Sequence, residues 1–196
     1  MTAVGRTHAE RSRATRTALI TAGRGLFGER GYADVGTEEI VRTAGVSRGA
    51  LYHQFSDKRA LFDAVVEEVE AEVTRRVVED ALTGPADPAD ALRAGARAFL
   101  DACAVPEVER ILLLDAPGVL GWERWREIGA RHGLGVIETA LQTAIDAGAL
   151  RPQAVRPLAH LVLGALDEAA MVVARAADRD AAREEMLAAL EGLLFS

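Results

Sequence analysis

Residues 37–55 contain two short apolar patterns of helical period, separated by a glycine and a serine. Ile40 and Ala44 lie four residues apart, which places them on one face of a helix, and Leu51 and Phe55 repeat this spacing. Helices this short are unstable alone in water and fold when their apolar faces pack against other helices. The segment therefore predicts a helical corner inside a larger helical fold.

Residues at the ends of these two patterns favour a tight turn between two helices. Thr37 is the predicted N-cap of the first helix, because its hydroxyl can accept a hydrogen bond from a free backbone N–H. Gly45 can adopt the left-handed conformation that ends a helix. Val46 would then point into the corner, and Ser47 is the predicted cap of the second helix. The segment is thus predicted to be a helix-turn-helix.

The outward face of the second helix holds side chains suited to a DNA groove. Arg48, Gly49, Tyr52 and His53 fall on this face, opposite the apolar pair. Arg48 can bind a guanine edge or a phosphate, and Tyr52 can donate a hydrogen bond to a phosphate oxygen. Gly49 would let the backbone come close to the duplex. The alternative is an ordinary helical hairpin with a solvated polar face.

The order and spacing of residues 14–70 are far more specific than a bare helix-turn-helix. The positions that carry this pattern are Ala18-Leu19-Ile20, Ala22-Gly23, Leu26-Phe27, Arg30-Gly31-Tyr32, Thr37, Ile40, Ala44-Gly45-Val46-Ser47, Gly49, Leu51-Tyr52, Phe55, Lys58, Leu61 and Phe62. In these positions the chain resembles the DNA-binding domain of the TetR (tetracycline-repressor) family of bacterial regulators. The resemblance covers about the first third of the chain.

The resemblance and the outward face together define the predicted DNA-binding residues. These residues are Thr37, Ser47, Arg48, Gly49, Tyr52, His53 and Lys58. Lys58 falls in the first turn of a predicted fourth helix, capped by Ser56, where a lysine and a helix N-terminus form an anion site. The resemblance places Lys58 against a DNA phosphate, and the alternative is a surface lysine paired with Asp57 or Glu29.

Apolar residues at steps of three and four predict helices along the whole chain, and no segment shows the alternation of a strand. Predicted helices run from Arg11 to about Arg30, through both halves of residues 37–55, from Lys58 to about Ala81, from Pro88 (capped by Asp87) through Cys103, from Pro106 to Pro117, from Trp122 to Gly148 with a candidate kink or break around Gly129, Gly133 and Gly135, from about Leu158 to Arg175, and from Asp178 onward. We therefore predict an all-α fold. A three-helix DNA-binding domain with the helix-turn-helix, residues 1–58, is joined by a long fourth helix to a helical domain, residues 59–196. The resemblance assigns ligand binding and dimerisation to the second domain.

Charge is distributed unevenly along the chain, although the net charge of −7 by itself argues against DNA binding. Residues 1–60 contain ten Lys and Arg and six Asp and Glu, so this part is basic and the remainder strongly acidic. Such asymmetry is expected if only the first part meets phosphate. Residues 1–10 are predicted to be disordered, and a basic arm of Arg6, Arg11, Arg13 and Arg16 either follows the DNA or is a solvated tail.

Cysteine content and hydropathy indicate a cytoplasmic protein. Cys103 is the single cysteine, so no internal disulfide can form, which fits a reducing compartment. The first residues are polar and rich in arginine, unlike a signal peptide. The most apolar segment, residues 158–174, is interrupted by Asp167 and Glu168, so we expect no membrane contact.

The predicted penultimate helix is apolar over more than one narrow face. Ala165 and Ala169 are small and four residues apart, so another helix could approach closely. Pairing this helix and the last one with their copies in a second subunit gives a four-helix interface. A homodimer would present two recognition helices to a pseudo-palindromic operator. The alternative is a buried core helix within a monomer.

The resemblance implies a small-molecule effector in the C-terminal domain that alters the spacing of the DNA-binding domains. Candidate ligand-binding residues are Phe99, Cys103, Trp122, Trp125 and His132, each of which has a packing role as the alternative. Asp115 is expected to cap the turn before Pro117 rather than to face ligand. Ligand would favour a state whose recognition helices no longer match successive major grooves.

Two other classes of function remain as alternatives. The four histidines and Cys103 show no metal-ligand spacing, and no phosphate loop, dinucleotide glycine pattern or Gly-x-Ser-x-Gly is present. We therefore predict no catalytic residue, metal or cofactor, with a Cys103–His132 dyad as the enzymatic alternative. The second alternative is an all-helical protein-interaction module that does not bind DNA.

Overall fold

The computed structural model describes residues 8–82 and 87–195, and every regular element in these ranges is a helix. The elements are α1 His8–Arg30, α2 Thr37–Ala44, α3 Arg48–Gln54, α4 Lys58–Leu82, α5 Pro88–Cys103, α6 Pro106–Val108, the π-helix π1 Glu109–Asp115, α7 Ala116–Leu120, α8 Trp122–Asp146, α9 Val155–Arg175 and α10 Arg179–Phe195. The predicted all-α fold, with a helix-turn-helix followed by a long fourth helix, is confirmed.

Helices α1, α2 and α3 pack around a common apolar centre that the first half of α4 completes. Phe27 of α1, Ile40 of α2, Leu51 of α3 and Phe62 of α4 are all fully buried there. The rings of Phe27 and Phe62 meet edge to face, with 5.2 Å between their centroids. Because α3 buries Leu51 in this centre, its opposite face is directed to solvent.

Helix α4 connects this N-terminal unit to the rest of the chain. It contains no glycine or proline, and its valines Val65, Val66, Val69 and Val73 are buried. It packs against α1 and also against α5 and α8. Lys58, its first residue, is also the last residue of the predicted DNA-binding domain, and that boundary stays a prediction.

The C-terminal part is a helical bundle in which the later turns of α4 pack against α5 and α8, α9 packs against α5 and α8, and α10 packs against α5 and α9. Its centre contains Leu100, Ile128, Leu141 and Leu166, all buried. Asp87 caps α5 as predicted, because its Oδ1 accepts hydrogen bonds from Ala89 N at 2.9 Å and Asp90 N at 3.1 Å. The bundle provides the walls of a cavity described below.

Two predicted helix caps are wrong. Gly36, in extended conformation, is the N-cap of α2, and Thr37 is already the first helical residue, so its hydroxyl caps nothing. At the start of α4 the carboxylate of Asp57, not the hydroxyl of Ser56, accepts from Ala60 N at 2.7 Å. A carboxylate is the stronger acceptor near the positive end of a helix.

Helix α8 is continuous from Trp122 to Asp146, so of the two alternatives predicted around Gly129, Gly133 and Gly135, a kink or a break, the break is wrong. Burial of Trp125, Ile128, Leu134 and other residues along α8 stabilises the helix over its length, which outweighs the low helix propensity of glycine. At Gly133 a Cβ atom would lie 3.6 Å from Leu163 Cδ1, which is ordinary van der Waals contact, so the packing of α9 does not require glycine there. Tertiary packing, which spacing along the sequence does not reveal, decides this element.

The region before α8 also differs from the prediction. Pro117 does not end a helix but lies in the first turn of α7, where its missing N–H is not needed. Asp115 neither caps that turn nor faces a ligand cavity. Its Oδ2 accepts a hydrogen bond from Tyr32 N at 2.7 Å, which ties the π-helix to the loop after α1.

The predicted N-terminal arm is only partly described. Arg6 and the rest of residues 1–7 lie outside the described residues. Residues 8–10 belong to α1, contrary to the predicted disorder, and Arg11, Arg13 and Arg16 therefore lie on a helix. The guanidinium of Arg16 lies 4.5 Å from the centroid of the Phe55 ring.

Helix α9 is long and apolar enough to cross a membrane by length and composition alone, despite Asp167 and Glu168. Seven of its residues are buried, and it packs against α5, α8 and α10. Ala169 is fully buried inside the chain, so it cannot form the outward small-residue pair that we predicted with Ala165. The outward face of α9 carries Leu161 and Val172 instead.

Candidate nucleic-acid interface and ligand cavity

The turn between α2 and α3 depends on a single glycine. Gly45 adopts φ +67°, and nothing lies within 4 Å of a Cβ built there, so conformation rather than space requires glycine. Val46 N then donates to Val41 O at 3.0 Å, and Ser47 Oγ accepts from Ala50 N at 3.1 Å. The predicted left-handed end of α2 and the predicted Ser47 cap are therefore both present.

The exposed face of α3 carries the residues that the sequence places there. Arg48, Gly49, Tyr52 and His53 are all exposed, with the Tyr52 side chain 45% open to solvent. The Arg48 guanidinium lies 5.6 Å from the Tyr52 ring centroid and 3.4 Å from Glu38 Oε1, a long contact between two exposed side chains. A Cβ at Gly49 would meet only Ser47 Oγ at 3.9 Å, so the surface there is open. Both large side chains are free to turn toward a ligand such as a phosphate or base edge.

The first turn of α1 lies beside α3 and extends this surface. Gln54 Nε2 donates to Ser12 Oγ at 2.8 Å, and His8, Arg11 and His53 line the same shallow depression. Arg11 thereby adds a cation next to the face of α3. Arg11 was predicted both as the start of the first helix and as part of the basic arm, and the packing of α1 on α3 reveals that it lies beside the exposed face of α3.

The Lys58 side chain is directed toward the loop between α1 and α2, whereas the resemblance predicted it to lie against a DNA phosphate. Its Nζ donates to Tyr32 O at 2.9 Å and to Val35 O at 3.0 Å, and lies 4.0 Å from the Tyr32 ring centroid. Neither Asp57 nor Glu29 is its partner, so the predicted alternative pairing is wrong. An ammonium has three N–H donors, so one remains for a phosphate. Its first role in this structure is to hold the loop between α1 and α2.

The bundle contains a cavity whose walls come from α4, α5, α8, α9 and α10. It contains about 870 Å³ of empty space, part of which opens to solvent. The residues that line it are Glu70, Thr74, Val77, Ala91, Leu92, Gly95, Ala96, Phe99, Gly133, Val136, Ile137, Ala140, Val162, Leu163, Leu166, Leu190 and Leu194. Its predominantly apolar lining is typical of small-molecule sites.

Of the five residues predicted to bind ligand, only Phe99 lines this cavity. Cys103 and Trp125 are buried in packing, whereas Trp122 is 61% exposed on the outer surface. His132 Nε2 lies 2.7 Å from Glu67 Oε2 on the outside of the α4–α8 contact. The structure therefore does not bring these five side chains to one site, and no Cys103–His132 dyad forms.

Glu70 is the cavity residue that sequence analysis missed. It lies on α4 four residues after Val66 and three before Val73, so an acid stands within an apolar stripe, and that is the signal that could have identified it. Burial raises the pKa of the Glu70 carboxyl to about 7, with further contributions from the negative charges of Asp167 and Glu67. This side chain can be either a neutral hydrogen-bonding group or an anion near neutral pH.

A set of ion pairs joins α4 to α8 next to the cavity. Arg124 binds both oxygens of Asp63, at 2.7 Å each, and Glu67 Oε1 at 2.8 Å. The hydrogen bond from Arg124 holds the pKa of Asp63 below its usual value. Glu67 lies one turn before Glu70 on α4, so a movement of this helix at the cavity would also move Glu67 and change the distances in these ion pairs.

No metal centre is apparent within residues 8–82 and 87–195, where no three His, Cys, Asp or Glu side chains are grouped suitably for an ion. The described residues do present an exposed face on α3 with Arg48, Tyr52 and His53, and an apolar cavity lined by one acid.

Two family models match the chain. The model of bacterial regulatory proteins of the tetR family matches residues 19–65. The model of the tetracyclin repressor-like C-terminal domain matches residues 89–196, more than half of the chain. Both parts of the fold are therefore recognised independently.

Solved structures show the same architecture over nearly the whole length. A TetR-family transcriptional regulator from Pectobacterium atrosepticum superposes with a TM-score of 0.82 at 36% sequence identity, covering 96% of this chain and 95% of that one. RolR in complex with resorcinol superposes with a TM-score of 0.77 at 22% identity, covering 95% and 90%. The second likeness is one of fold alone.

Curated relatives match over shorter segments. The HTH-type transcriptional regulator AcrR of Shigella flexneri is 31% identical over 99 residues, which are 50% of this chain and 46% of that protein. The HTH-type transcriptional repressor AcnR of Corynebacterium diphtheriae is 37% identical over 67 residues, 34% of this chain and 35% of that protein. The matched segment thus spans less than half the length of these relatives.

Proposed function

The chain belongs to the tetR family of bacterial regulatory proteins, and from this we propose that it is a sequence-specific DNA-binding transcriptional regulator. It represses transcription in the bacterial cytoplasm, binds a pseudo-palindromic operator as a homodimer, and releases it when a small molecule binds. The observation that carries the proposal is the open face of α3, which presents Arg48 and Tyr52 beside Gly49.

On DNA, α3 lies in the major groove as the recognition helix. Arg48 reads a base edge or clamps a phosphate, and Tyr52 and Ser47 contact the backbone. Gly49 keeps the helix close to the groove, and His53 with Arg11 extends the contact along the strand. Thr37 and the remaining N–H of Lys58 face the neighbouring phosphates.

Two copies pair through the outer faces of α9 and α10. Leu161 and Leu193 are 71% and 73% exposed, and Val172 is 39% exposed, which leaves apolar surface on both helices. Exposed Ala188 and Gly192 on α10 allow a partner helix to approach closely. Pairing both helices with their copies covers these side chains and sets the distance between the two α3 helices.

Helix α4 couples the cavity to the DNA-binding surface. Glu70 and Thr74 on this helix line the cavity, whereas Lys58 at its start holds the carbonyls of Tyr32 and Val35. Ligand that binds one tilt of α4 better than another shifts the population toward it, by its difference in affinity for the two states. RolR binds resorcinol, which supports a small organic molecule as effector here.

Selection of genomic fragments bound by the purified protein tests the proposal, followed by affinity measurements on the selected sites at several salt concentrations. Binding should weaken with salt, because phosphate contacts release counterions. Arg48→Ala should cost about 1–3 kcal/mol and relax the sequence preference. The matched control Arg151→Ala removes an exposed cation from the loop between α8 and α9 and should leave binding unchanged.

Absence of salt-dependent duplex binding would overturn the proposal. The protein would then be an all-helical interaction module, and the exposed face of α3 would be a surface for another protein. Equal losses in Arg48→Ala and Arg151→Ala would reject α3 as the recognition helix, because they would indicate attraction by net charge alone.

A further inference from the structure

Glu70 is the single charged side chain among the described residues that line the bundle cavity. No hydrogen bond or ion pair joins its carboxyl to another residue in the described part of the chain. Thr74, one helical turn further along α4, supplies a hydroxyl on the same wall. The remaining lining residues carry no polar side chain, so polar contacts to a ligand converge on this one wall.

The surroundings of Glu70 are acidic, and the nearby cations already have partners. The negative charges of Asp167 on α9 and Glu67 on α4 both raise the pKa of Glu70. The Cys103 thiol on α5 lies close enough to Glu70 and Asp167 for their charges to raise its own pKa. Asp167 is paired with Arg126, and Glu67 with Arg124, Arg131 and His132. Glu70 is the acid of this group without a cation.

An ionised carboxylate in an apolar cavity without a counter-charge costs several kcal/mol. Either a proton or a bound cation relieves this cost. Without ligand, a proton on the Glu70 carboxyl relieves this cost, which is why its pKa is raised to about 7. A ligand cation would replace that proton and form a charge-assisted hydrogen bond, whereas an anionic ligand would add a further negative charge to the site.

We propose that the cavity binds an apolar molecule that carries one protonated amine, with the ammonium at Glu70 and Thr74 and the hydrocarbon body among Leu92, Phe99 and Leu166. The inference rests on the proposed function, because it names the chemical class of the effector. Glu70 is the residue that determines specificity for charge, and the apolar walls accept chains or rings of varied shape.

Calorimetric titration of the purified full-length protein with octylammonium, 1-octanol and octanoate at pH 7.5 tests the inference. Octylammonium should bind at least about tenfold more tightly than octanol, and octanoate should bind most weakly. In Glu70→Gln, which keeps the shape and removes the charge, amine and alcohol should bind alike. Glu68→Gln, which removes an exposed acid of α4 facing Arg24, is the matched control and should retain the preference.

The pH dependence provides a second readout that a merely structural role would not produce. Since the ammonium binds the ionised carboxylate, affinity for octylammonium should rise about tenfold from pH 6 to pH 8 across a pKa of about 7. Asp167, whose pKa burial raises to about 6, is present in both proteins, whereas its interaction with Glu70 is lost in Glu70→Gln together with the Glu70 charge. The pH dependence that the variant loses is therefore the part that requires the Glu70 carboxyl.

The inference is overturned if octanol binds as tightly as octylammonium, or if Glu70→Gln, melting cooperatively, keeps the preference for amine. Wild-type protein that binds its operator but none of the three probes also overturns it, while the proposed function stands. Octylammonium binding with the stated charge and pH dependence supports it, even where duplex binding is absent, in which case only the proposed function fails.

Discussion

Glu70 makes the stability of the unliganded protein depend on pH in an unusual direction. Its pKa rises from 4.5 to about 7 on folding, so the folded state binds more protons than the unfolded state between these values. The contribution of Glu70 to the free energy of unfolding is therefore greatest at low pH and is lost as the pH rises from about 4.5 through about 7. Asp63, a half-buried acid that is hydrogen-bonded to Arg124, has the opposite effect, because its pKa is lowered.

Urea denaturation of the wild type and Glu70→Gln at pH 5.5 and pH 8, at one protein concentration, measures this contribution. The variant should be more stable than the wild type at pH 8, by on the order of 3 kcal/mol at most, and this advantage should shrink at pH 5.5. A difference between the two proteins that does not change with pH would show that Glu70 is ionised at both values.

Lys58 should contribute more to stability than an ordinary surface lysine. Lys58→Met removes two hydrogen bonds to the loop carbonyls and the contact with the Tyr32 ring, and should cost about 1–3 kcal/mol in thermal or urea unfolding. Arg42→Met, at an exposed position of α2, should change stability by no more than about 0.5 kcal/mol. Equal, small effects would mean that the Lys58 side chain leaves the loop in solution.

Residue positions were predictable where local spacing alone decides orientation. Leu51 and Phe55 bury one face of α3, so Arg48 and Tyr52 had to face outward, as the structure shows. The cavity residues were less accessible to sequence reasoning, because their exposure depends on how five helices are rotated against one another. Trp122 was expected at the ligand site because of its side-chain type. Its position on the outer surface follows from the packing of α8, which the sequence does not reveal.

At the scale of elements, the contact between α4 and α8 includes an ion-pair network centred on Arg124. The Arg124 guanidinium hydrogen-bonds to both carboxylate oxygens of Asp63 and to Glu67, and all three side chains are half-buried. Arg124→Met should lower the free energy of unfolding by about 1.5–3 kcal/mol. The control Arg75→Met breaks an exposed pair with Glu79 within α4 and should cost no more than about 0.5 kcal/mol.

Urea titrations of the two variants under one buffer check this ranking. Similar, small losses would show that the contact between α4 and α8 is held by apolar packing alone. A large loss in Arg75→Met would instead show that helix α4 itself, rather than its contact with α8, limits stability.

The long helices were predictable because steps of three and four persist over many turns, as in α4 and α9. The π-helix Glu109–Asp115 was not, because its wider turn follows from accommodating Ile111, Leu112 and Leu113 together in the core. Likewise, Asp57 displaced Ser56 as a cap through a competition between neighbouring acceptors. Both outcomes depend on tertiary geometry that spacing along the chain does not contain.

For the whole molecule, the proposed homodimer makes DNA affinity depend on two distant apolar side chains. Leu161→Glu combined with Leu193→Glu places four carboxylates in the paired interface, which should yield monomers in sedimentation velocity at micromolar concentration. Operator affinity should fall by several kcal/mol, since one half-site is bound at a time. Leu114→Glu, at an exposed position of the π-helix, should leave both properties unchanged.

A wild-type protein that sediments as a monomer at micromolar concentration would contradict this prediction. Dimers that persist in the double variant would place the interface elsewhere on the molecule.

The single cysteine of the chain has a consequence for how the molecule can sense its surroundings. Cys103 is 3% exposed, and burial raises its thiol pKa well above the ordinary value, so almost no thiolate exists at neutral pH. Peroxides and electrophiles react with thiolates that they can reach. While the fold stays closed, peroxides and electrophiles therefore have no accessible thiolate at Cys103 to attack, and a change in the packing around α5 would be needed to make this thiol reactive.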